Sequence, residues 1–313
     1  MEYSRLGSTG LEVSRICLGT NNFGGHLDDK ASSAVLSKAM ELGINVIDTA
    51  NIYTRGNSER AIGRAIKGRR EEVVIATKVG MRIGEGPNHD GLSRKHIMWQ
   101  IHHSLEHLQT DYIDVYYMHR WDDIVPLEET LTTFDDLVRE GLIRYVAVSN
   151  WEASQIEKAK KICKAKDLEM IAAVQPPYNV IQREAEESLF PYCKKEKLGV
   201  LTYTPLMGGF LTGKYERGKP PPPGSRAVYS KGYMEEKMTE ENYAKIEKIN
   251  KVASEAGVPL HKLTIAWILR NPTVTAPIIG ASSPEQVADN CSVFDLKLPE
   301  KIFREMDRAV AGE

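Results

Sequence analysis

Asp48, Tyr53, Lys78 and His119 are the residues whose types and spacing suggest chemistry. Asp48 ends the short apolar run Val46-Ile47-Asp48, and Tyr53 follows five residues later. Aspartate is a poor strand residue, so its place at the tip of a strand-like run implies a carboxylate at the rim of a sheet. Lys78 ends a second apolar run from Val73, and His119 ends a third from Ile113. An ammonium from one tip beside a carboxylate from the next forms an ion pair. A phenol reaching that ammonium is expected to have its pKa drawn from about 10 toward neutrality. Such a phenol is a general acid for a reaction that leaves an alkoxide on a former carbonyl oxygen. A neutral imidazole donating a hydrogen bond to the same oxygen would orient it. Each residue alone has a plainer explanation: a helix N-cap for Asp48, a structural salt bridge for Lys78, a core histidine for His119.

The elements that would position these groups alternate along the chain. Residues 2–14 predict a hairpin with turns at Gly7 and Gly10, followed by the buried run Ile16–Thr20. A helix over Ala31–Leu42 ends at Gly43, and a strand follows to Asp48. Helices are then predicted over Ser58–Ile66, Ser93–Leu108, Pro126–Arg139, Ala153–Ala165, Glu184–Lys197 and between Glu241 and Leu269. Strands fall between them at Val73–Lys78, Ile113–His119, Tyr145–Asn150, Ala172–Gln175, Val200–Thr204 and Pro277–Ser282. Near-continuous apolar strands separated by helices imply a parallel sheet covered on both faces. Eight such units in 313 residues fit a single closed (β/α)8 TIM barrel over residues 1–313, with an N-terminal β-hairpin. An open doubly wound sheet is the competing arrangement, weakened by the missing G-x-G-x-x-G after the first strand. In a barrel the polar strand tips converge on one face, where barrel enzymes place their active sites.

Composition bounds the function. A formal net charge of −2 and 42% hydrophobic residues describe a globular protein. With a pI near 6.5, nothing suggests a nucleic-acid or anionic-membrane surface. No apolar run approaches membrane-spanning length, and Met1–Arg5 leads into no apolar leader core. Four scattered cysteines without a CxxC pair suit a reducing compartment. The expectation is a cytoplasmic protein whose partner is a small molecule. Two motifs fail. Gly208-x-x-x-x-Gly213-Lys214 resembles a Walker A loop, but Tyr215 stands where a hydroxyl should bind magnesium. His102, His103 and His107 share a predicted helix without the glutamate or outlying ligand of a zinc site, and read as surface histidines.

Gly19-Thr20, Asp48-Thr49-Ala50-x-x-Tyr53, Lys78, His119, Ser149-Asn150 and Gln175 resemble the aldo-keto reductase pattern over essentially the whole chain. The resemblance implies a (β/α)8 barrel that binds NADP(H) extended across its top. It makes Tyr53 the proton donor, Lys78 its pKa modulator, Asp48 the partner of Lys78, and His119 the orienter of the carbonyl. It also places Gly19, Thr20 and Asn21 at the cofactor. Ser149, Asn150 and Gln175 would bind the nicotinamide carboxamide, and Tyr203 would stack under its ring. Thr204, Pro205, Leu206, Gly208 and Lys214 belong to the segment resembling a pyrophosphate cradle, and Arg226 would fold over the cofactor from a mobile loop. Gly280, Ser282, Gln286, Asp289 and Asn290 resemble the adenosine and 2′-phosphate segment. Many members carry Lys and Arg where this chain has Gly280 and Gln286. Ser282 and Gln286 are similar instead to the branch holding aldehyde reductases and potassium-channel β subunits. NADP(H) is therefore expected ahead of NAD(H). The implied function is NADPH-dependent reduction of an aldehyde or ketone; the alternative is a nicotinamide-binding regulatory or scaffold subunit with slow turnover. Substrate walls are expected from residues 81–92, 121–125 and 215–233, with Trp121 and Tyr229 as candidates for an apolar wall.

Overall fold

Successive side chains of a strand point to opposite faces, so every second residue of a barrel strand looks into the barrel. In this chain the inward rows begin apolar and end polar. The computed structural model describes residues 1–311. A short antiparallel hairpin, β1 (Tyr3–Arg5) and β2 (Glu12–Ser14), precedes eight parallel strands. These are β3 (Cys17–Gly19), β4 (Val46–Asp48), β5 (Val74–Val79), β6 (Ile113–Met118), β7 (Ile143–Ser149), β8 (Ile171–Gln175), β9 (Gly199–Thr202) and β10 (Ala276–Gly280). They close in chain order, with β10 pairing both β9 and β3. The fold is a (β/α)8 TIM barrel with an N-terminal hairpin, as the alternation implies.

The inward row forms one buried cluster: Cys17, Val46, Val74, Ala76, Val115, Tyr117, Ala147, Ala173, Leu201, Ala276 and Ile278. Leu6 and Val13 of the hairpin join it. The hairpin docks closely at the start of β9, because a Cβ on Gly7 would sit 2.4 Å from the backbone nitrogen of Gly199. The outward rows, among them Ile47, Ile75, Tyr116 and Val148, pack with the surrounding helices in a larger cluster. Extending the inward rows two residues toward the strand ends gives Asp48, Lys78, His119, Ser149, Gln175 and Tyr203. The same period that builds the apolar interior therefore aims these polar groups at the top of the barrel.

The helices are α1 (Asp29–Glu41), α2 (Asn57–Ala65), α3 (Arg94–Leu108), α4 (Leu127–Arg139), α5 (Ala153–Lys166) and α6 (Leu189–Glu196). Then α7 (Arg226–Tyr229), α8 (Lys231–Glu235), α9 (Glu240–Glu255) and α10 (Leu260–Leu269) lie between β9 and β10. α11 (Pro284–Cys291) and α12 (Glu300–Ala311) follow β10. Ser93 and Ser283 cap α3 and α11 by accepting from backbone N–H groups three residues on. The helix predicted over Glu184–Lys197 is split: a single turn at Glu184–Glu186, then α6 from Leu189. Pro191 is the reason, since proline fits only the first turn of a helix. Among the described residues no helix is long and apolar enough to cross a membrane.

Helix α2 packs on α3 at Gly63, where an added Cβ would meet the carbonyl oxygen of His107 at 2.5 Å. Gly63→Ala raises helix propensity by about 1 kcal/mol, but the overpacking it forces costs typically about 1–3 kcal/mol. The variant is expected to be less stable than the native chain in urea unfolding. A net gain in stability would contradict this packing.

Candidate active site

The loop that carries Tyr53 is pinned at both ends. The Ser58 hydroxyl, on α2, donates to the Thr20 carbonyl and bonds the Thr20 and Thr49 hydroxyls at 2.8–2.9 Å. Thr54 and Arg55 follow Tyr53 with φ of +47° and +57°, a region that residues with ordinary side chains rarely adopt. The Thr54 hydroxyl donates to the carbonyl of Phe23 and holds this conformation. Backbone strain of this kind persists only where surrounding contacts impose it. Here it turns the Tyr53 ring toward the barrel axis.

Lys78 is fully buried. Its ammonium donates to Asp48 Oδ1 at 2.6 Å and to the Thr49 carbonyl at 2.7 Å. The Tyr53 hydroxyl lies 3.4 Å from the same nitrogen. The Gln175 amide donates to the other carboxylate oxygen of Asp48 at 2.7 Å. The pair and its supports thus come from β4, β5, β8 and the loop after β4. Burial disfavours the Lys78 ammonium, yet Asp48 and Tyr53 outweigh it and leave the lysine above its ordinary value. Burial lifts Asp48 against the pull of Lys78 and Gln175.

Tyr53 departs from the sequence expectation of a lowered pKa. Burial pushes its phenol upward, and the opposing pull of Lys78 and Arg226 does not overcome this. The phenol therefore keeps its proton at neutral pH, which is the form a proton donor needs. His119 stands edge-on to Tyr53, ring centroids 6.1 Å apart. Burial, then Lys78 and Arg120, drive its pKa down to about 3. It is a neutral imidazole at physiological pH, able to donate without carrying charge.

These groups stand at the floor of a cleft of about 570 Å³ across the top of the barrel. The cleft is lined by Asp48, Tyr53 and His119 and by every residue whose sequence suggested cofactor contact, from Gly19, Thr20 and Asn21 to Asp289 and Asn290. Two of these residues are also bonded within the protein: the Gln175 amide donates to Asp48 Oδ2 and the Tyr203 hydroxyl donates to Asn150 Oδ1, each at 2.7 Å. Sequence reasoning missed Asn22, His26 and His261, which also line the cleft. They sit in loops or at helix starts, where no periodicity marks a direction. Tyr229 stacks on His26 at 4.0 Å across the cleft. Trp121 instead packs edge-on against Trp151 at 4.6 Å on the barrel rim. His107 is not a surface histidine: it is tucked under α2, its Nδ1 3.2 Å from the buried carboxylate of Glu59 and its Nε2 bonded by Arg60.

The cleft fits an extended anionic dinucleotide. Lys214 and Arg226 line it with no carboxylate partner among the described residues, leaving two cations for a pyrophosphate. Gly208 and Gly209 have φ of +68° and +94° and bring bare backbone to the cleft wall. A Cβ on them would meet Met234 Sδ at 2.6 Å and Lys214 Nζ at 2.8 Å. The buried Thr204 and Ser225 hydroxyls have no partner. Such orphaned polar atoms in a cleft are satisfied when a polar ligand enters.

The comparisons with known proteins agree with this geometry. The Aldo/keto reductase family profile matches residues 15–311. A probable voltage-gated potassium channel subunit beta of Oryza sativa subsp. japonica is 37% identical, across 95% of this chain and 92% of its own. A putative voltage-gated potassium channel subunit beta of Schizosaccharomyces pombe is 38% identical, across 96% and 91%. The uncharacterized oxidoreductase YrpG of Bacillus subtilis is 36% identical, across 100% and 97%. With the barrel, the buried lysine–carboxylate pair beside a tyrosine, and a profile match over nearly its whole length, this chain belongs to the aldo/keto reductase family and at that level is an oxidoreductase.

Proposed function

We propose that this protein reduces an aldehyde or ketone to an alcohol, with NADP(H) held across the top of the barrel. The observation that carries this reading is the Lys78 ammonium, bonded to Asp48 and 3.4 Å from the Tyr53 hydroxyl at the floor of the cleft. The nicotinamide, when bound, supplies a hydride. Lys214 and Arg226 would hold the pyrophosphate by charge, and the N-terminus of α11 would face the adenosine end. Ser149, Asn150 and Tyr203 are joined by hydrogen bonds and would hold the nicotinamide end. Tyr53 gives its proton to the carbonyl oxygen as negative charge develops there. Lys78 stabilises the phenolate left behind, and Asp48 keeps Lys78 charged. His119 donates to the same oxygen as a neutral group and fixes its position.

A second reading has a specific observation behind it: two of the relatives above are named as potassium-channel β subunits. In that reading the same cleft binds the nucleotide, turnover is slow, and the protein serves as a regulatory subunit. Steady-state assay against a panel of short and aromatic aldehydes separates the two. Turnover above about 1 s⁻¹ marks an ordinary reductase; tight NADPH binding without turnover, together with a stable partner in native pull-down, marks the subunit.

Tyr53→Phe removes the proton donor while keeping the ring. Turnover is expected to fall by about 10²–10⁴-fold with NADPH affinity within a few-fold of native, and an unchanged kcat would sink the assignment. The pKa directions also fix a pH profile. His119 is already neutral well below pH 5, and Tyr53 stays protonated to above its ordinary value of about 10. Reductive kcat is therefore expected to be level from about pH 5 to 9, falling only in stronger alkali as the phenol ionises. Oxidation of the alcohol, which needs the phenolate, is expected to rise over the same alkaline range. An inflection near the usual histidine value in the reductive profile would show that His119 titrates during catalysis.

A further inference from the structure

Glu59 is a wholly buried carboxylate that the chemistry above does not use. A carboxylate taken out of water is costly unless hydrogen bonds replace its hydration. Two groups from different elements do so here. The Thr77 hydroxyl donates to Oε1 at 2.6 Å, and His107 Nδ1 lies 3.2 Å from Oε2. Arg60 lies 2.6 Å from His107 Nε2, and a guanidinium can only donate. Nε2 is therefore the acceptor, and Nδ1 carries the proton that His107 shares with Glu59.

The elements joined in this way are those that bring Tyr53 to Lys78. Glu59 stands in the first turn of α2, next to Ser58, whose hydroxyl bonds Thr20 and Thr49. Thr77 precedes Lys78 on β5, and strand alternation turns its side chain outward where that of Lys78 turns inward. His107 lies in the last turn of α3, and the backbone after Tyr53 rests on its ring: a Cβ on Gly56 would meet the imidazole at 2.7 Å. Gly56 has a φ of +84°, so glycine suits both the turn and the close approach. Asn51, in the same loop, is tied to α3 as well, its amide donating to the buried Gln100 at 2.8 Å.

We infer that Glu59 is a positioning residue for the proposed reaction: its carboxylate ties the first turn of α2, and with it the Tyr53 loop, to the strand that carries Lys78. This rests on the reading of Tyr53 as the proton donor. Glu59 acts through position, since the charges that act on Tyr53 are Lys78, Asp48 and Arg226. A phenol 3.4 Å from the ammonium has little room to drift before Lys78 ceases to act on it. The bond from Thr77 to Glu59 limits that drift.

The test uses the full-length chain with Thr77→Val, which keeps the side-chain shape and removes the hydroxyl, and Thr77→Ser, which keeps the hydroxyl. Each variant is checked by circular dichroism and by NADPH titration, then followed in single turnovers of bound NADPH with an aldehyde. Thr77→Val is expected to slow hydride transfer about tenfold or more, because misplacement by an ångström can cost about a hundredfold. Its NADPH affinity is expected to stay within about threefold of native, and Thr77→Ser to recover the native rate within about threefold. The alkaline inflection of alcohol oxidation is expected to rise by about half a pH unit or more in Thr77→Val, as the phenol loses part of the pull of Lys78. Adding Thr77→Val to Glu59→Ala is expected to slow the reaction no further than Glu59→Ala alone, the sign of two groups acting as one. A native rate and inflection in Thr77→Val, an equal loss of rate and NADPH affinity, or a Thr77→Ser as slow as Thr77→Val would each overturn the inference while leaving the reductase reading intact. A native chain that transfers no hydride overturns both.

Discussion

An ammonium removed from water costs several kcal/mol unless protein groups replace its hydration. Lys78 is wholly buried, and three oxygens do that work: Asp48 Oδ1, the Thr49 carbonyl and, more distantly, the Tyr53 hydroxyl. The arrangement ties three elements together, because the carboxylate ends β4, the lysine sits in β5 and the tyrosine stands on the loop between β4 and α2. Asp48 in turn needs its second oxygen satisfied, and Gln175 reaches across from β8 to do so. A change in any of these groups leaves a charge or polar atom stranded in the barrel.

The proton chemistry follows from this constraint. Burial raises the Tyr53 phenol more than Lys78 lowers it, so the acid form dominates at neutral pH. The same burial, with Lys78 and Arg120 nearby, keeps His119 uncharged. In the proposed reaction one ammonium serves both roles, stabilising a phenolate when the proton leaves and, with burial, holding the imidazole neutral. The Ser58 hydroxyl network and the left-handed turn at Thr54 and Arg55 keep the phenol in reach of that ammonium.

Much of this was legible in the sequence, and for a definite reason. A two-residue period places Val46 and Asp48, or Val74, Ala76 and Lys78, on one inward row, so apolar strands that end in ionisable groups reveal both the barrel and its reactive rim. The balance of burial against Lys78 at Tyr53 was not legible, because desolvation depends on what surrounds the ring in three dimensions. The two short helices α7 and α8, with Tyr229 and Tyr233 facing the cleft, follow a proline-rich run without periodic pattern. Gln175 was legible as a site residue, but its bond to Asp48 spans 127 positions and appears only once the barrel closes. His261 and Lys262 looked like the ordinary first turn of a helix. Their pairing with Asp289, 28 and 27 residues later, appears only when helix packing brings α10 beside α11.

The central claim is that Lys78 acts on Tyr53 and does more than fill the barrel. The most direct measurement is the rate of hydride transfer in Lys78→Met, followed in single turnovers of bound NADPH with an aldehyde, with circular dichroism and NADPH affinity as controls. A folded variant that binds NADPH normally and transfers hydride at least about a hundredfold more slowly is the result this account requires. A folded variant that transfers hydride at the native rate would contradict it.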